Sequence, residues 1–240
     1  MTEFSVEGYS GLLKALLDRN YRAVSFHEAD PAQRHLVLRH DIDMTIEAAL
    51  RVAKAEAALG CRATYLVLLR SELYNVFTRS SRDGLAVLIE MGHEVGLHFD
   101  ASLYAGDEAT LDAAATRECG ILESLIEKPV TVVSFHRPAQ ALLRRAQPIG
   151  GRLHTYMPKF FSEMGYCSDS QGEWRHGPPL QHKAVAEGHA LQLLTHPIWW
   201  VTEGRTPVEK LQRFLDARSK TLSDELAANS QPFQRHLKKR

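Results

Sequence analysis

A chain of 240 residues is long enough to bury one large α/β core. Its 44% apolar and 24% charged content is that of an ordinary globular protein. A formal net charge of zero gives no global field that favours nucleic acid or an anionic membrane. No apolar run approaches the ~20 residues that a spanning helix needs. No basic-then-apolar leader follows Met1, so no secretory signal is expected. Cys61, Cys119 and Cys167 are isolated and read as small core residues, and a reducing cytoplasm is the expected compartment.

In chain order, the pattern alternates helices and short apolar runs. Ser5 to Asn20 reads as an amphipathic helix with Leu12, Leu13, Leu16 and Leu17 on one face. A buried strand follows at His35 to Arg39, then an Ala-rich helix from Thr45 to Leu59 with Gly60 at its C-terminal cap. The next strands are expected at Arg62–Leu69, Glu94–Leu97, Val130–Ser134 and Ala190–Thr195. Helices are expected at Arg82–Met91 and Glu108–Glu127. Arg137 to Pro179 reads as loops around short elements. A last helix runs from Thr206, the N-cap, to about Ala228, and the basic run Arg235–Arg240 reads as a solvated tail. This alternation predicts one α/β domain over residues 1–240, with a helical lead-in over 1–34 and the helix and tail over 206–240. Its sheet is parallel, with functional groups beyond the carboxyl ends of the strands.

Four strand ends carry titratable groups. Leu38-Arg-His-Asp-Ile-Asp43 places Asp41 and Asp43 on one face if the chain stays extended. Two close carboxylates ionise together only beside a cation, which a metal supplies; capping of the next helix is the plainer reading. His98 follows a Gly-flanked run, His136 and Arg137 follow Val132-Val-Ser-Phe135, and His196 follows Leu193-Leu-Thr195. Trp199 and Trp200 suit either a sugar-binding floor or the core. A Gly-x-Ser-x-Gly elbow, a phosphate-binding Gly-Lys loop and Gly-x-Gly-x-x-Gly are all missing, which leaves metal-assisted hydrolysis.

At these residues the sequence resembles the polysaccharide deacetylase (NodB-homology) superfamily. Within it, the sequence is similar to the WbmS-like branch of O-antigen and surface-sugar biosynthesis. The motifs are Leu38-Arg-His-Asp-Ile-Asp43, Gly92-His-Glu-Val-Gly-Leu-His98, Ser134-Phe-His-Arg-Pro138, Ser168-Asp-Ser170 with Trp174-Arg175, and Leu194-Thr-His-Pro197. They span about Tyr21 to Trp200. The resemblance implies an irregular (β/α) barrel of about seven parallel strands and a divalent metal, commonly zinc. It implies Asp41 as general base, Asp43 and His98 as metal ligands, His196 as general acid and Arg137 as the residue that tunes Asp41. The family's second ligand histidine, four residues after the first, is Ser102 here; His136 is the candidate replacement and Asp100 the fallback. The implied substrate is an N-acylated sugar, nucleotide- or lipid-linked, with Trp199, Trp200, Tyr156 and Trp174 lining its cleft. A non-sugar amidase or deformylase, and a non-catalytic sugar-binding member of the fold, are the competing expectations.

Overall fold

The computed structural model describes residues 4–175 and 177–238, so Lys239 and Arg240 of the basic tail lie outside the described residues. Contacts divide the chain into two compact units, 1–201 and 202–240.

In the first unit the strands are β1 (Arg22–Ala23), β2 (His35–Ile42), β3 (Thr64–Val67), β4 (Glu94–Phe99), β5 (Val132–Phe135), β6 (Leu153–His154), β7 (Gly165–Ser168) and β8 (Leu191–Thr195). Its helices are α1 (Val6–Leu17), α2 (Ile46–Ala58), α3 (Arg79–Glu90), α4 (Glu108–Ile126), α5 (Gln140–Leu143), α6 (Pro158–Phe161), α7 (Lys183–Glu187) and α8 (Pro197–Val201). Seven strands pair in the order β6-β5-β4-β3-β2-β8-β7, all parallel, and β1 adds to the start of β2. The sheet curls into a half-barrel with helices around it, the α/β barrel-like fold expected.

Local chemistry fixes the element ends. Ser5, Thr78 and Asp107 cap α1, α3 and α4 by accepting from the backbone N–H of Gly8, Ser81 and Thr110. The Thr78 cap starts α3 three residues before the expected Arg82. β2 runs on to Ile42 rather than stopping at Arg39, because His40 pairs with Thr195 of β8 and Ile42 with Val67 of β3. Arg39, His40 and Asp41 are therefore sheet residues, buried, rather than loop residues.

Alternation along β2 then sorts its side chains. Val37 points into the half-barrel, where it packs with Leu66, Val132, Phe160 and Met164. Arg39 and Asp41 share that face further along. The interior is thus apolar near the amino ends of the strands and polar toward their carboxyl ends. Gly96 of β4 has no room for a side chain: a Cβ there would stand 2.6 Å from the Val132 carbonyl oxygen.

The second unit contains α9 (Pro207–Asn229) and α10 (Gln231–Leu237). Thr206 caps α9 and Pro207 occupies its first turn, as the sequence predicts. Among the described residues no helix is long and apolar enough to cross a membrane. The three cysteines are free thiols and buried.

Candidate metal centre and active site

Asp43 lies one residue past β2. Its backbone is pinned from the loop after β3: Ser71 Oγ donates to the Asp43 carbonyl at 3.2 Å, and Tyr74 Oη donates to the Ile42 carbonyl at 2.9 Å. His98 is on β4 opposite Ser134 of β5. Its Nδ1 lies 2.6 Å from Ser134 Oγ, which leaves Nε2 to face the site. His136 is the first residue past β5, and its N–H donates to the Phe99 carbonyl at 2.8 Å, extending the ladder by one bond.

These three side chains converge. His98 Nε2 is 3.2 Å from Asp43 Oδ1, His136 Nδ1 is 3.5 Å from the same oxygen, and the two ring nitrogens are 3.2 Å apart. Three donors held at about 2.0–2.1 Å around a tetrahedral ion stand about 3.3 Å from one another, so the triangle has the size of one face of a zinc coordination shell. Asp43 Oδ1 is buried and faces the two imidazoles. Burial pushes the Asp43 carboxyl up, but the facing imidazoles of His136 and His98 more than reverse this and hold it well below the usual range. An anionic oxygen and two imidazole nitrogens at this spacing suit a divalent cation. Ser102 takes no part: its hydroxyl and N–H both donate to Asp100 Oδ1 in a 3-10 turn, which also occupies the fallback Asp100.

Two further groups flank the triangle. Asp41 Oδ2 lies 3.8 Å from His98 Nδ1. Arg39 grips Asp41 at both oxygens, Nε to Oδ1 at 2.9 Å and Nη2 to Oδ2 at 2.8 Å, and Ser134 Oγ reaches Oδ1 at 3.4 Å. Burial raises the Asp41 carboxyl, the Arg39 guanidinium outweighs it, and the group stays ionised below its ordinary value. On the other side, His196 Nε2 is 3.8 Å from Asp43 Oδ2. Its Nδ1 is 2.6 Å from Asp169 Oδ1, and its backbone N–H donates to the same carboxylate. Burial would lower the His196 imidazole. Asp169, then Asp43 and Asp41, reverse that and push it up to about 9, so it is protonated at neutral pH.

Several expected roles are corrected. The guanidinium on Asp41 belongs to Arg39; Arg137 is exposed, at φ 46°, where the chain turns away into Pro138. Trp199 and Trp200 are both buried rather than exposed as a cleft floor. They lie on α8, which starts directly after His196; the Trp200 ring meets Tyr9 of α1, and its Nε1 donates to Asp169 at 2.7 Å. Tyr156 is also buried. Its hydroxyl accepts from Arg39 Nη2 at 3.2 Å and its ring lies under that guanidinium. Trp174 is half-buried against Trp200.

Sequence reasoning did not assign roles to Arg39 or Asp169. Arg39 sits two residues before Asp41, on the same face of an extended strand. Asp169 follows β7, which pairs with β8, so it stands at a strand end beside His196.

No family model and no curated protein matches the chain. Among solved structures it is similar to a family 4 carbohydrate esterase from Bacillus anthracis, with TM-score 0.48 and 16% identity over 88% of this chain and 86% of that one. It is also similar to a family 4 acetyl xylan esterase from Clostridium thermocellum in complex with a cobalt ion, with TM-score 0.42 and 15% identity over 79% and 84%. A third is the Streptococcus pyogenes deacetylase PplD in complex with acetate, with TM-score 0.44 and 12% identity over 85% and 84%. All three scores are low and the identities do not exceed 16%, so these likenesses assign neither family nor activity.

Proposed function

We propose that the chain is a metal-dependent hydrolase that removes an N-acetyl or other N-acyl group, with Asp43, His98 and His136 as the protein ligands. The observation that carries this reading is the donor triangle placed between an ionised Asp41 and a protonated His196. When bound, a divalent ion, zinc for this donor set, supplies Lewis-acid charge and lowers the pKa of a coordinated water toward about 7.

The protein groups divide the proton work. Asp41 is the base: Arg39 keeps it ionised at neutral pH, and Oδ2, which takes one hydrogen bond from Arg39, keeps a lone pair for an incoming proton. His196 is the acid. Asp169 holds its Nδ1, so Nε2 is the atom that gives a proton to the departing nitrogen. Ser134 orients both His98 and Asp41, and so links the metal ligand to the base.

The sugar substrate, and a cytoplasmic place in surface-polysaccharide synthesis, rest on the strand-end motifs and their resemblance. One observation favours a second reading. Burial of Trp199, Trp200 and Tyr156 removes the aromatic floor that suits a sugar ring, which favours an amidase or deformylase acting on a small non-sugar amide.

Metal analysis tests the centre. Wild type, Asp43→Asn and His98→Ala are equilibrated with zinc, freed of excess ion and assayed for bound metal. Wild type is expected to retain zinc and both variants to lose it; equal retention in all three sinks the assignment. Mass spectrometry of acetylated and formylated sugars and amines, incubated with the zinc-loaded protein, then separates the two substrate readings by which compound loses its acyl mass.

A further inference from the structure

At the opposite end of β2 from the candidate active site, His35 lines a cavity of about 530 Å³ together with Asn20, Arg22, Gln33, Arg34 and Gly188. His35 and Asp43 are eight residues apart, so about 26 Å of strand separates this cavity from the metal ligands. The contact that decides its chemistry is between Arg22 and His35, which face each other across the β1–β2 pairing. Arg22 Nη2 lies 3.1 Å from His35 Nε2.

The proton on His35 can be placed from its other nitrogen. The backbone N–H of Asp30 donates to His35 Nδ1 at 3.0 Å, so Nδ1 is a bare lone pair and the ring proton is on Nε2. A guanidinium N–H and an imidazole N–H then meet at hydrogen-bond distance with no acceptor between them. His35 is 8% exposed and lines the cavity. Two donors forced together in this way ask for one oxygen that accepts from both.

The surroundings specify the charge of that oxygen. Arg34 lies on the bare Cα of Gly188: a Cβ there would stand 2.7 Å from Nη2 and 2.8 Å from Cζ. Arg34 Nη1 donates to the Arg19 carbonyl at 3.4 Å, which turns the guanidinium along the cavity wall. No carboxylate is among the described lining residues. Glu28, a nearby acid, accepts from the Ser25 N–H at 3.0 Å and its hydroxyl at 2.9 Å; these bonds, and to a smaller extent the charge of Arg22, hold it below its ordinary value. Asp30 Oδ1 accepts from the Ala32 N–H at 3.0 Å.

We infer that this cavity is an oxyanion site, remote from the metal centre, in which one oxygen of a phosphate group bridges Arg22 Nη2 and His35 Nε2 while Arg34 neutralises the rest of its charge. Guanidinium forks and an imidazole N–H donor match a tetrahedral phosphate better than a neutral ligand. The cavity has room for a small phosphomonoester as well as the free ion.

The test uses the full chain after chelator treatment, in a buffer without phosphate, so that the metal centre cannot take up the ion. Nitrogen NMR of the His35 ring is followed while inorganic phosphate is added, then repeated with glycerol 3-phosphate. The expected results are a proton on Nε2 from the start and a saturable shift at millimolar phosphate, with Arg22→Ala and Arg34→Ala each weakening binding about tenfold. Both arginines are exposed, and an unchanged melting temperature shows that the variants fold. Tighter binding of the ester than of the ion would identify a phosphomonoester as the ligand; equal binding would identify the free ion. A proton found on Nδ1, a shift that never saturates, or phosphate affinity unchanged in both arginine variants would overturn the site. Asp43→Asn should bind phosphate like wild type; loss of binding there would assign the ion to the metal centre instead.

Discussion

The two faces of β2 each carry a buried carboxylate network, one residue out of step along the strand. On the inner face, Asp41 is gripped by Arg39, a cation that stays charged at any working pH, and it lies beside the donor triangle. On the outer face, Glu56 of α2 accepts from Tyr9 Oη at 2.6 Å, Tyr65 Oη at 2.6 Å and His40 Nε2 at 2.7 Å. His40 Nδ1 is 2.7 Å from Thr195 Oγ1, so the outer network also ties β2 to β8 just before His196. Burial raises Glu56, and His40 and the two phenols bring it below the ordinary value. Both carboxylates are thus ionised and buried. They differ in what they face: Asp41 borders a cation-ready opening, while Glu56 is enclosed among side chains already bonded to it. A buried charge is therefore not by itself a mark of catalysis.

Paired substitutions test that contrast most severely. Asp41→Asn and Glu56→Gln each remove one partner from a buried network and are expected to cost about 3–5 kcal/mol of stability in denaturant unfolding. The folded fraction of Glu56→Gln should keep its zinc and its turnover, whereas Asp41→Asn should keep zinc and lose turnover. A Glu56→Gln protein that folds but loses zinc would show that the two faces act as one.

His154 sharpens the comparison as a buried group with no charge partner. Its Nε2 is bonded to the Gln147 carbonyl and its Nδ1 has no partner, and burial pushes its pKa down to about 4. The unfolded chain takes up this proton near pH 6.5 and the folded chain only near 4. The neutral ring's contribution is therefore complete above pH 6.5 and declines as pH falls toward 4, by about 3 kcal/mol. Unfolding free energies measured across that window should fall less steeply in His154→Gln.

Smaller effects separate the faces further. Tyr65→Phe removes one donor from Glu56 and should cost about 1.5–3 kcal/mol without changing zinc affinity. Ser134→Ala leaves the buried His98 Nδ1 without its partner, and should weaken zinc about 10–100-fold as well as cost about 1–3 kcal/mol of stability. Both variants should lower the thermal midpoint, and competition with a chelator should separate them, since only Ser134→Ala is expected to weaken zinc.

Some of the site was legible from residue order. Apolar runs ending in Asp43, His98, His136 and His196 mark strand ends, because a strand covered on both faces changes to polar residues only where it leaves the core. The substitution of Ser102 for a histidine also pointed toward His136, which the structure brings within 3.2 Å of His98. Arg39 and Asp169 were less visible. One was hidden inside an apolar strand, where an arginine is stable only because Asp41, Gln192 and Tyr156 surround it. The other lies in a region of short elements with weak periodicity.

By itself, the sequence determined the parallel α/β architecture and the strand ends that carry titratable groups, since periodicity and strand exits are local properties of the chain. The tertiary structure alone decided which of those groups meet: that Arg39 rather than Arg137 holds Asp41, that Asp169 charges His196, and that Trp199, Trp200 and Tyr156 face inward. Such pairings join residues far apart in the chain. They depend on strand order and on where a helix begins after a strand, and neither is encoded in any one segment.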